Sequence, residues 1–483
     1  MYRSHIALLQ LSTLVSVSLL ASSCGLLAEN AEQSDGAVAR KGDVHDAGLK
    51  KTGSTIKPQI GTKEQVSAKP VVPQKPVKAS FPARTLGLRL KRSIVVRSGP
   101  SLDAEKLGTV AAHTIVGWNS AVKAEGCETR WIAIEPKGWV CEGYLEPVKK
   151  RPRGVELPKL GTAESVPGTY GKVIGEEAVV VTIKDGAIIS ESGILGASTV
   201  RKRGLTMIEE LPYWKIDGGK YIAEESLRLH KPSEFGGTRL QGVVPPTFPL
   251  AFAYSSNRPG DWVVVRNDKD QKVRRLKARA LVSIKEEKIA ADGHVSRYQI
   301  GDNEFVLAKD LRLIELHEPP DRTGPHERWF DIDLSTQVLV AYEGTLPVYT
   351  TLISSGTRKN PTETGIFRIW IKFSETTMSG RMGESDAYSV ATVPWTQFYE
   401  NDFALHTSYW HNSFGQQRSH GCINLSPKDA RFVYFWSDPQ VPIGWSMANS
   451  STQSPGSIVR VHSKADPDPE YKGRAKVVYD ARE

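Results

Sequence analysis

A cysteine lies within a short polar segment that also contains three histidines, His406, His411 and His420. In this segment, HTSYWHNSFGQQRSHGCINL (residues 406–425), Cys422 lies sixteen positions after His406. A thiol attacks an acyl carbon only as the thiolate, and with an ordinary pKa near 8.5 only about 3% of it is ionised at neutral pH. Because a nearby histidine can accept the thiol proton, the combination indicates nucleophilic acyl transfer.

Spacing favours His406 as the base. His420 is held close to Cys422 by the local backbone and His411 lies in the intervening loop, whereas His406 ends the apolar segment DFAL and can approach from a neighbouring strand. Gly421 allows an unusual backbone dihedral and close backbone approach, and N–H groups in such a turn can bind a developing oxyanion. A metal pair and an inert core thiol are the alternatives, but zinc normally has three or four ligands.

The segments around this motif predict a β-rich domain with one helix. Residues 426–438 predict a helix, with Ser426 as N-cap, Pro427 at the first position and Asp429 near the positive N-terminal end. The strand-like segments alternate apolar and polar residues, with turns between them; they are residues 328–356, 365–373 and 456–462.

The N-terminus has the pattern of an export signal. Arg3 precedes an apolar run of about fifteen residues, too short for a transmembrane helix of about 20 residues. The small residues before Cys24 resemble the lipobox of bacterial lipoproteins, which implies a signal peptide at residues 1–24 and lipidation of Cys24. Gly25 after the cysteine implies an outer-membrane anchor facing the periplasm. A plain secretory signal with an incidental cysteine is the alternative.

Residues 25–83 predict a disordered tether. They are rich in Lys, Pro, Ser, Thr and Gly and cannot bury enough apolar surface to fold. The rest of the chain has the composition of a soluble globular protein, with 39% hydrophobic residues overall. Net charge is +9, but the lysines are scattered without interleaved aromatic residues, which argues against a nucleic-acid partner.

The remaining cysteines favour one disulfide and one unpaired thiol. Cys127 and Cys141 lie close in the sequence, and an exported protein meets an oxidising compartment, so a disulfide between them is expected. Two buried thiols are the alternative. Cys422 then has no partner, which is unusual in that compartment and indicates a working thiol.

A repeated pattern predicts three similar β modules between the tether and the motif. The segment SIVVRSGPSLDAEKLGTV resembles the opening of bacterial SH3-like domains. We predict SH3-like barrels at residues 84–150 (module 1), 151–235 (module 2) and 236–318 (module 3). The recurring aromatic residues could line a binding groove, although core positions are favoured. An isoleucine, an aromatic residue and a leucine recur with the same spacing in Ile134–Trp139–Leu145, Ile216–Tyr221–Leu227 and Ile300–Phe305–Leu311.

The motif SHGCIN with its upstream histidine resembles the signature of L,D-transpeptidases with a YkuD-type catalytic domain. The segments ISSGTRKNPTETGIFRI and VPWTQFYENDFALH are also similar to that family. The resemblance implies a β-rich catalytic domain at residues 322–462, followed by a loose polar tail at residues 463–483. The expected fold is therefore mostly β: three small SH3-like barrels and a catalytic domain with one or two short helices.

The resemblance also implies residue roles. Cys422 is the nucleophile, His406 activates it, and the backbone carbonyl of Thr407 orients His406. Gly421 contributes its N–H to the oxyanion hole together with neighbouring amides. The other implied roles are a pocket shaped by Ser419 and His420, a loop or substrate contact at Asn424, and a substrate carboxylate contact at Arg418. No cofactor and no metal are implied.

The function implied is formation of 3→3 cross-links between peptidoglycan stem peptides through a cysteine thioester, and carbapenems acylate the cysteine of such enzymes. Water as acceptor would instead give an L,D-carboxypeptidase or endopeptidase. An envelope protein as acceptor would be attached to the wall. A catalytically inactive wall-binding scaffold is the non-enzymatic alternative.

Overall fold

The computed structural model describes residues 75–242, 245–255, 261–379 and 389–482. These residues are mostly β-strand with two α-helices, which confirms the predicted fold class. All of them belong to one compact unit. The predicted signal peptide, Cys24 and the tether as far as residue 74 lie outside the described residues. In the described part of the chain, no helix has both the length and the apolarity needed to cross a membrane.

Modules 1 and 2 contain short strands. In and just before module 1 these are β1 (Val77–Lys78), β2 (Gly87–Leu90), β3 (Ile94–Arg97), β4 (Lys106–Val110), β5 (Ile115–Val116), β6 (Trp118–Val122), β7 (Trp131–Ile134), β8 (Trp139–Cys141) and β9 (Leu145–Val148). In module 2 they are β10 (Tyr170–Val173), β11 (Glu177–Lys184), β12 (Ala187–Leu195), β13 (Thr199–Arg201), β14 (Gly204–Ile208), β15 (Leu211–Lys215), β16 (Tyr221–Ala223) and β17 (Leu227–Leu229).

Module 3 and the C-terminal part contain the remaining elements. Module 3 has β18 (Thr238–Arg239), β19 (Leu250–Ala253), β20 (Trp262–Arg266), β21 (Lys272–Lys277), β22 (Leu281–Ser283), β23 (Glu286–Ile289), β24 (Val295–Gly301), β25 (Glu304–Leu307) and β26 (Leu311–Ile314). The C-terminal part has β27 (Arg328–Asp333), β28 (Val338–Glu343), β29 (Leu346–Leu352), β30 (Gly365–Arg368), β31 (Ile371–Ser379), β32 (Ser389–Glu400), β33 (Phe403–Thr407), β34 (Ile423–Leu425), α1 (Pro427–Trp436), β35 (Trp445–Asn449), β36 (Ile458–His462) and α2 (Gly473–Asp480).

The repeated sequence pattern corresponds to a repeated local structure. In each copy a short strand, a 3₁₀ turn and a second strand follow one another: β8 and β9 flank residues 142–144, β16 and β17 flank 224–226, and β25 and β26 flank 308–310. Trp214 and Tyr298 are buried, as the core interpretation expects, while Trp139 and Tyr221 are partly exposed. None of the described sheets is closed into a barrel, so the barrel detail of the prediction is corrected.

The modules share sheets with the C-terminal part. Strand β4 of module 1 pairs antiparallel with β35, and β18 of module 3 pairs with β29. In module 2, β13 meets β32 at one parallel bridge, and an ion pair joins Arg201 to Glu375. Backbone pairing therefore connects all three modules to strands of the C-terminal part.

Two predicted flexible segments are partly ordered. Strand β1 pairs with β6, so the predicted tether ends before residue 77 rather than at 83. The predicted loose tail contains α2, whose Ala475 is fully buried. Cys127 and Cys141 form a disulfide in module 1.

Helix α1 is fixed at both ends by buried polar groups. Ser426 caps its N-terminus, with Oγ accepting the N–H of Asp429 at 3.2 Å, as predicted. The Asp429 carboxylate is buried and also accepts hydrogen bonds from Tyr349, Thr351 and the N–H of Gly237. At the other end, Lys372 Nζ donates to the carbonyls of Tyr434 and Ser437. Because α1 follows β34 directly, these contacts also hold β34 in place.

A buried carboxylate fastens the segment after module 3 to the C-terminal sheet. Asp331 on β27 accepts hydrogen bonds from His317 Nδ1 and Arg460 Nε, both at 2.7 Å. Burial by itself would raise the pKa of Asp331, but His317, His462 and Arg460 hold it well below its usual range. The same hydrogen bond raises the pKa of His317. His317, Asp331 and His462 are close enough to suit a metal ion, but Arg460 already supplies a positive charge there.

Replacing His317 by glutamine should destabilise the protein more in acid than in base. The pKa of His317 is raised in the folded protein, so its hydrogen bond to Asp331 stabilises the folded state fully at pH values below the unfolded-state pKa near 6.5. This stabilisation is lost as the pH rises through the folded-state pKa of His317. The expected fall in thermal midpoint is about 2 °C near pH 5.5 and smaller near pH 8.5. Asp331, Arg460 and Glu315 are the other charged groups facing His317.

Thermal unfolding at the two pH values measures this difference. His326→Gln is the matched control, because His326 is exposed on the same connecting segment. Equal losses for His317→Gln at both pH values would contradict the assigned hydrogen bond.

Candidate active site

Parallel pairing of β33 with β34 brings the two ends of the motif together. His406 is the register partner of Asn424, and Leu405 is the partner of Ile423. Cys422 immediately precedes β34, so its register position is next to Ala404 on β33. Side chains alternate along a strand, so those of Ala404 and His406 share one face, and adjacent strands lie about 4.8 Å apart. The histidine favoured by spacing is thus the one that the fold places on the strand beside the cysteine.

His406 is a neutral base with one defined tautomer. Its Nδ1 lies 2.9 Å from the backbone carbonyl oxygen of Thr407, the contact that the family resemblance implies. A carbonyl can only accept, so Nδ1 carries the proton and Nε2 has a free lone pair. Burial lowers the pKa of His406 to about 4, partly opposed by this hydrogen bond. At neutral pH the ring can therefore accept a proton at Nε2.

The Cys422 thiol is protonated in this resting geometry. Burial raises the pKa of Cys422 to about 11. Its Sγ lies 3.5 Å from the carbonyl oxygen of Asp402, to which the thiol proton points. Among the described residues, no hydrogen bond joins the thiol to His406. The thiol proton must therefore leave the Asp402 carbonyl before it can pass to the imidazole.

Gly421 has the unusual backbone that the sequence predicted. Its φ is +120°, in the region that side-chain-bearing residues rarely adopt. A Cβ atom there would lie 2.3 Å from Cε1 of Phe403. The close contact explains why a glycine precedes Cys422.

Ser419 organises the turn around Gly421 and Cys422 through two hydrogen bonds. Its Oγ donates to the carbonyl of Cys422 at 2.6 Å and accepts the N–H of Gly421 at 3.1 Å. The Gly421 amide is therefore hydrogen-bonded to Ser419 in the resting geometry, and its role in an oxyanion hole stays a prediction. Ser419 is buried, while His420 and Arg418 are exposed.

Asn424 holds the loop rather than facing solvent. It is buried, and its side-chain amide lies 3.0 Å from His411 Nε2. His411 Nδ1 accepts the N–H of Ser413 at 3.1 Å, and the Asn424 atom that lies next to Nε2 is the amide nitrogen Nδ2. Burial lowers the pKa of His411 to about 3, so it stays neutral. His411, considered above as a possible base, is thus a structural partner of Asn424.

Several residues that support the site were missed by sequence reasoning. Thr362 donates to the carbonyl of Gly421 at 2.7 Å and accepts the N–H of Gly356. Ser354 pairs with Asn424 through both backbone hydrogen bonds. They lie in the segment ISSGTRKNPT, which was noted only as a resemblance. Tyr254, Arg279 and Arg312 of module 3 also contact the loop between His406 and Cys422, and no sequence signal indicated this.

Residues 327–461 match the family model of the L,D-transpeptidase catalytic domain, YkuD. The chain contains a YkuD-type L,D-transpeptidase domain. The matched region begins just before β27, ends within β36, and contains both His406 and the segment SHGCIN. No curated protein matches the chain.

Solved structures similar to the chain include several L,D-transpeptidases. One from Mycobacterium smegmatis is 22% identical over 28% of this chain and 58% of its own, with a TM-score of 0.23. A mutant enzyme from Enterococcus faecium is 23% identical over 28% of this chain and 49% of its own, with a TM-score of 0.22. An enzyme solved in complex with imipenem is 17% identical over 45% of this chain and 88% of its own, with a TM-score of 0.23. This chain spans about half the length of the first two.

Gly421→Ala should disable the YkuD site and destabilise the domain. The new Cβ would collide with Phe403 and force a disfavoured dihedral, at a cost of about 1–3 kcal/mol. We expect a lower free energy of unfolding in denaturant and a changed rate of Cys422 alkylation by iodoacetamide. Gly143→Ala is the control, since no heavy atom lies within 4 Å of its added Cβ. Wild-type stability and alkylation in Gly421→Ala would refute the close contact.

Proposed function

We propose that this protein is a peptidoglycan L,D-transpeptidase that forms 3→3 cross-links through a thioester on Cys422. The observation that carries the proposal is the state of His406. Its Nδ1 is fixed on the Thr407 carbonyl, its Nε2 is free to accept a proton, and its strand is paired with the one that follows Cys422. Such a base is what a protonated, partly buried thiol needs in order to become a nucleophile.

Acylation begins when the thiol turns from the Asp402 carbonyl towards His406. Nε2 takes the thiol proton as Sγ attacks the carbonyl carbon between the third stem residue and D-alanine. The oxyanion of the tetrahedral intermediate is held by backbone N–H groups of the turn, with Cys422 itself as the nearest candidate. The C–N bond then breaks, His406 returns the proton to the leaving amine, and D-alanine departs from the thioester.

Deacylation repeats these steps with a new nucleophile. The side-chain amine of a diamino acid in a second stem attacks the thioester carbonyl, and Nε2 of His406 accepts the proton that the amine loses. The C–S bond breaks, the sulfur regains a proton, and the two stems are joined by an amide bond. With a pKa of about 4, His406 is available as a base throughout the neutral range.

The stem peptide carries carboxylates, and the exposed Arg418 is the proposed contact for one of them. It directly precedes Ser419, which shapes the turn at the nucleophile. A guanidinium can bind a carboxylate through two parallel hydrogen bonds.

The proposed location is the periplasm, with Cys24 lipidated in the outer membrane and residues 25–74 giving reach towards the wall. Labelling by radioactive palmitate that disappears in Cys24→Ala tests this anchor.

Purified tetrapeptide muropeptides distinguish the proposed acceptor from its rivals. The full-length protein should convert them into dimers and free D-alanine, detected by liquid chromatography and mass spectrometry. Shortened stems without dimers would mean that water is the acceptor. Binding to sacculi without any product from the folded protein would replace the proposal by a wall-binding scaffold.

Arg418→Gln should weaken donor binding without slowing the chemistry. Loss of a charge-assisted contact raises KM about fivefold to tenfold, with kcat nearly unchanged. Arg431→Gln is the control, because Arg431 is an exposed arginine of the same domain that pairs with Glu156. An unchanged KM would remove Arg418 from the proposed substrate site.

A further inference from the structure

The loop between His406 and Cys422 is held from outside the YkuD domain. Module 3 contacts its central part, residues 412–416, through two arginines and a tyrosine. Module 2 also contributes, because Tyr170 stacks on Tyr409 with ring centroids 3.9 Å apart. The loop that carries the motif is therefore enclosed by parts of the chain that lie outside residues 327–461.

Arg279 donates two hydrogen bonds from its guanidinium to one loop residue, Asn412. It lies just after β21, and its Nη1 donates to the Asn412 side-chain oxygen at 2.6 Å while Nη2 donates to the Asn412 backbone carbonyl. Ser233 donates to the same side-chain oxygen. The guanidinium also lies 5.2 Å from the centre of the Phe235 ring and 5.8 Å from that of Phe414. The planar guanidinium binds two acceptors on Asn412 at once and so fixes the orientation of this residue. A lysine, with one ammonium group, would not fix it in the same way.

Arg312 and Tyr254 form a second contact three residues further on. Arg312 Nε donates to the carbonyl of Gly415 at 3.2 Å, and its guanidinium lies 3.5 Å above the Tyr254 ring. Gly415 has φ +101°, and a Cβ there would lie 2.8 Å from that ring. The loop backbone is thus pressed against module 3 at a position where only glycine fits.

The residues held by Arg279 are connected to His406 through His411 and Asn424. Asn412, held by Arg279, directly follows His411, whose Nε2 faces the Asn424 amide. Asn424 is the register partner of His406 on the adjacent strand. A shift of Asn412 would therefore move His411 and loosen the strand beside the base.

We propose that Arg279 and Arg312 of module 3 are positioning residues of the active site, holding the 408–422 loop so that His406 and Cys422 meet in a productive geometry. Module 3 is then part of the catalytic apparatus and not only a spacer. The inference rests on the proposed function for its kinetic readout, although the loop contacts stand without it. Neither arginine touches the substrate or the reacting atoms.

The test compares Arg279→Ala, Arg279→Lys and Arg312→Met with the wild-type full-length protein. The rate of Cys422 acylation by imipenem should fall about tenfold or more in Arg279→Ala, because misplacement of about 1 Å can cost up to a hundredfold. Arg279→Lys should remain impaired, since it lacks the fork. Added methylguanidinium should restore part of the rate in Arg279→Ala, which a general loss of stability would not allow.

Arg274→Met is the matched control, because Arg274 is an exposed arginine of module 3 paired with Glu304. Its acylation rate should stay within about twofold of wild type, as for most surface changes. Acylation of Arg279→Ala at the wild-type rate, or a loss that follows only the unfolded fraction and is not rescued, would overturn the proposal.

A second readout separates this inference from the proposed function. Hydrogen exchange of the amides in residues 412–418 should become faster in Arg279→Ala and stay unchanged in Arg274→Met. If imipenem fails to acylate even the wild type, the proposed function fails, and the loop contacts are judged by exchange alone. Unchanged exchange in Arg279→Ala would then overturn them.

Discussion

The parallel pairing of β33 with β34 is the constraint on which the candidate site depends. Parallel neighbours cannot be joined by a tight hairpin, so the chain needs a long connection between them. That connection is the loop 408–422, which carries the motif. It leaves β33 after Thr407, contains His411 and returns so that Cys422, which directly precedes β34, lies beside Ala404. The order of the site therefore depends on how well this loop is held.

Three groups of contacts hold the loop at different points. Within the motif, Ser419 closes the turn around Gly421 and Cys422. Behind it, α1 is anchored by Asp429 and Lys372, which keeps β34 in place. From outside, modules 2 and 3 pack on the middle of the loop. Because backbone pairing also links each module to strands of the C-terminal part, the modules pack against the YkuD domain and are not separate from it.

The sequence was most informative where chemistry and short-range signals coincide. The glycine before Cys422 and the N-cap of α1 depend on local backbone rules, and both match the structure. The spacing of His406 and Cys422 is compatible with the parallel strands that bring them together. The repeat was visible because the same 3₁₀ turn recurs three times. The contacts of Arg279 and Arg312 were not visible, since they join residues more than a hundred positions apart through ordinary surface-type arginines. The occupied Gly421 amide also depends on one serine rotamer, which no pattern of residue types reveals.

The most direct test is the intact mass of the full-length protein after acid quenching of a reaction with a tetrapeptide muropeptide whose diamino-acid amine is blocked. The blocked amine prevents a second stem from consuming the thioester. The account predicts that wild type gains the mass of the donor stem less D-alanine, and that Cys422→Ala gains nothing. A folded wild-type protein that forms no adduct, or release of D-alanine by Cys422→Ala, would contradict the central claim that Cys422 accepts the acyl group.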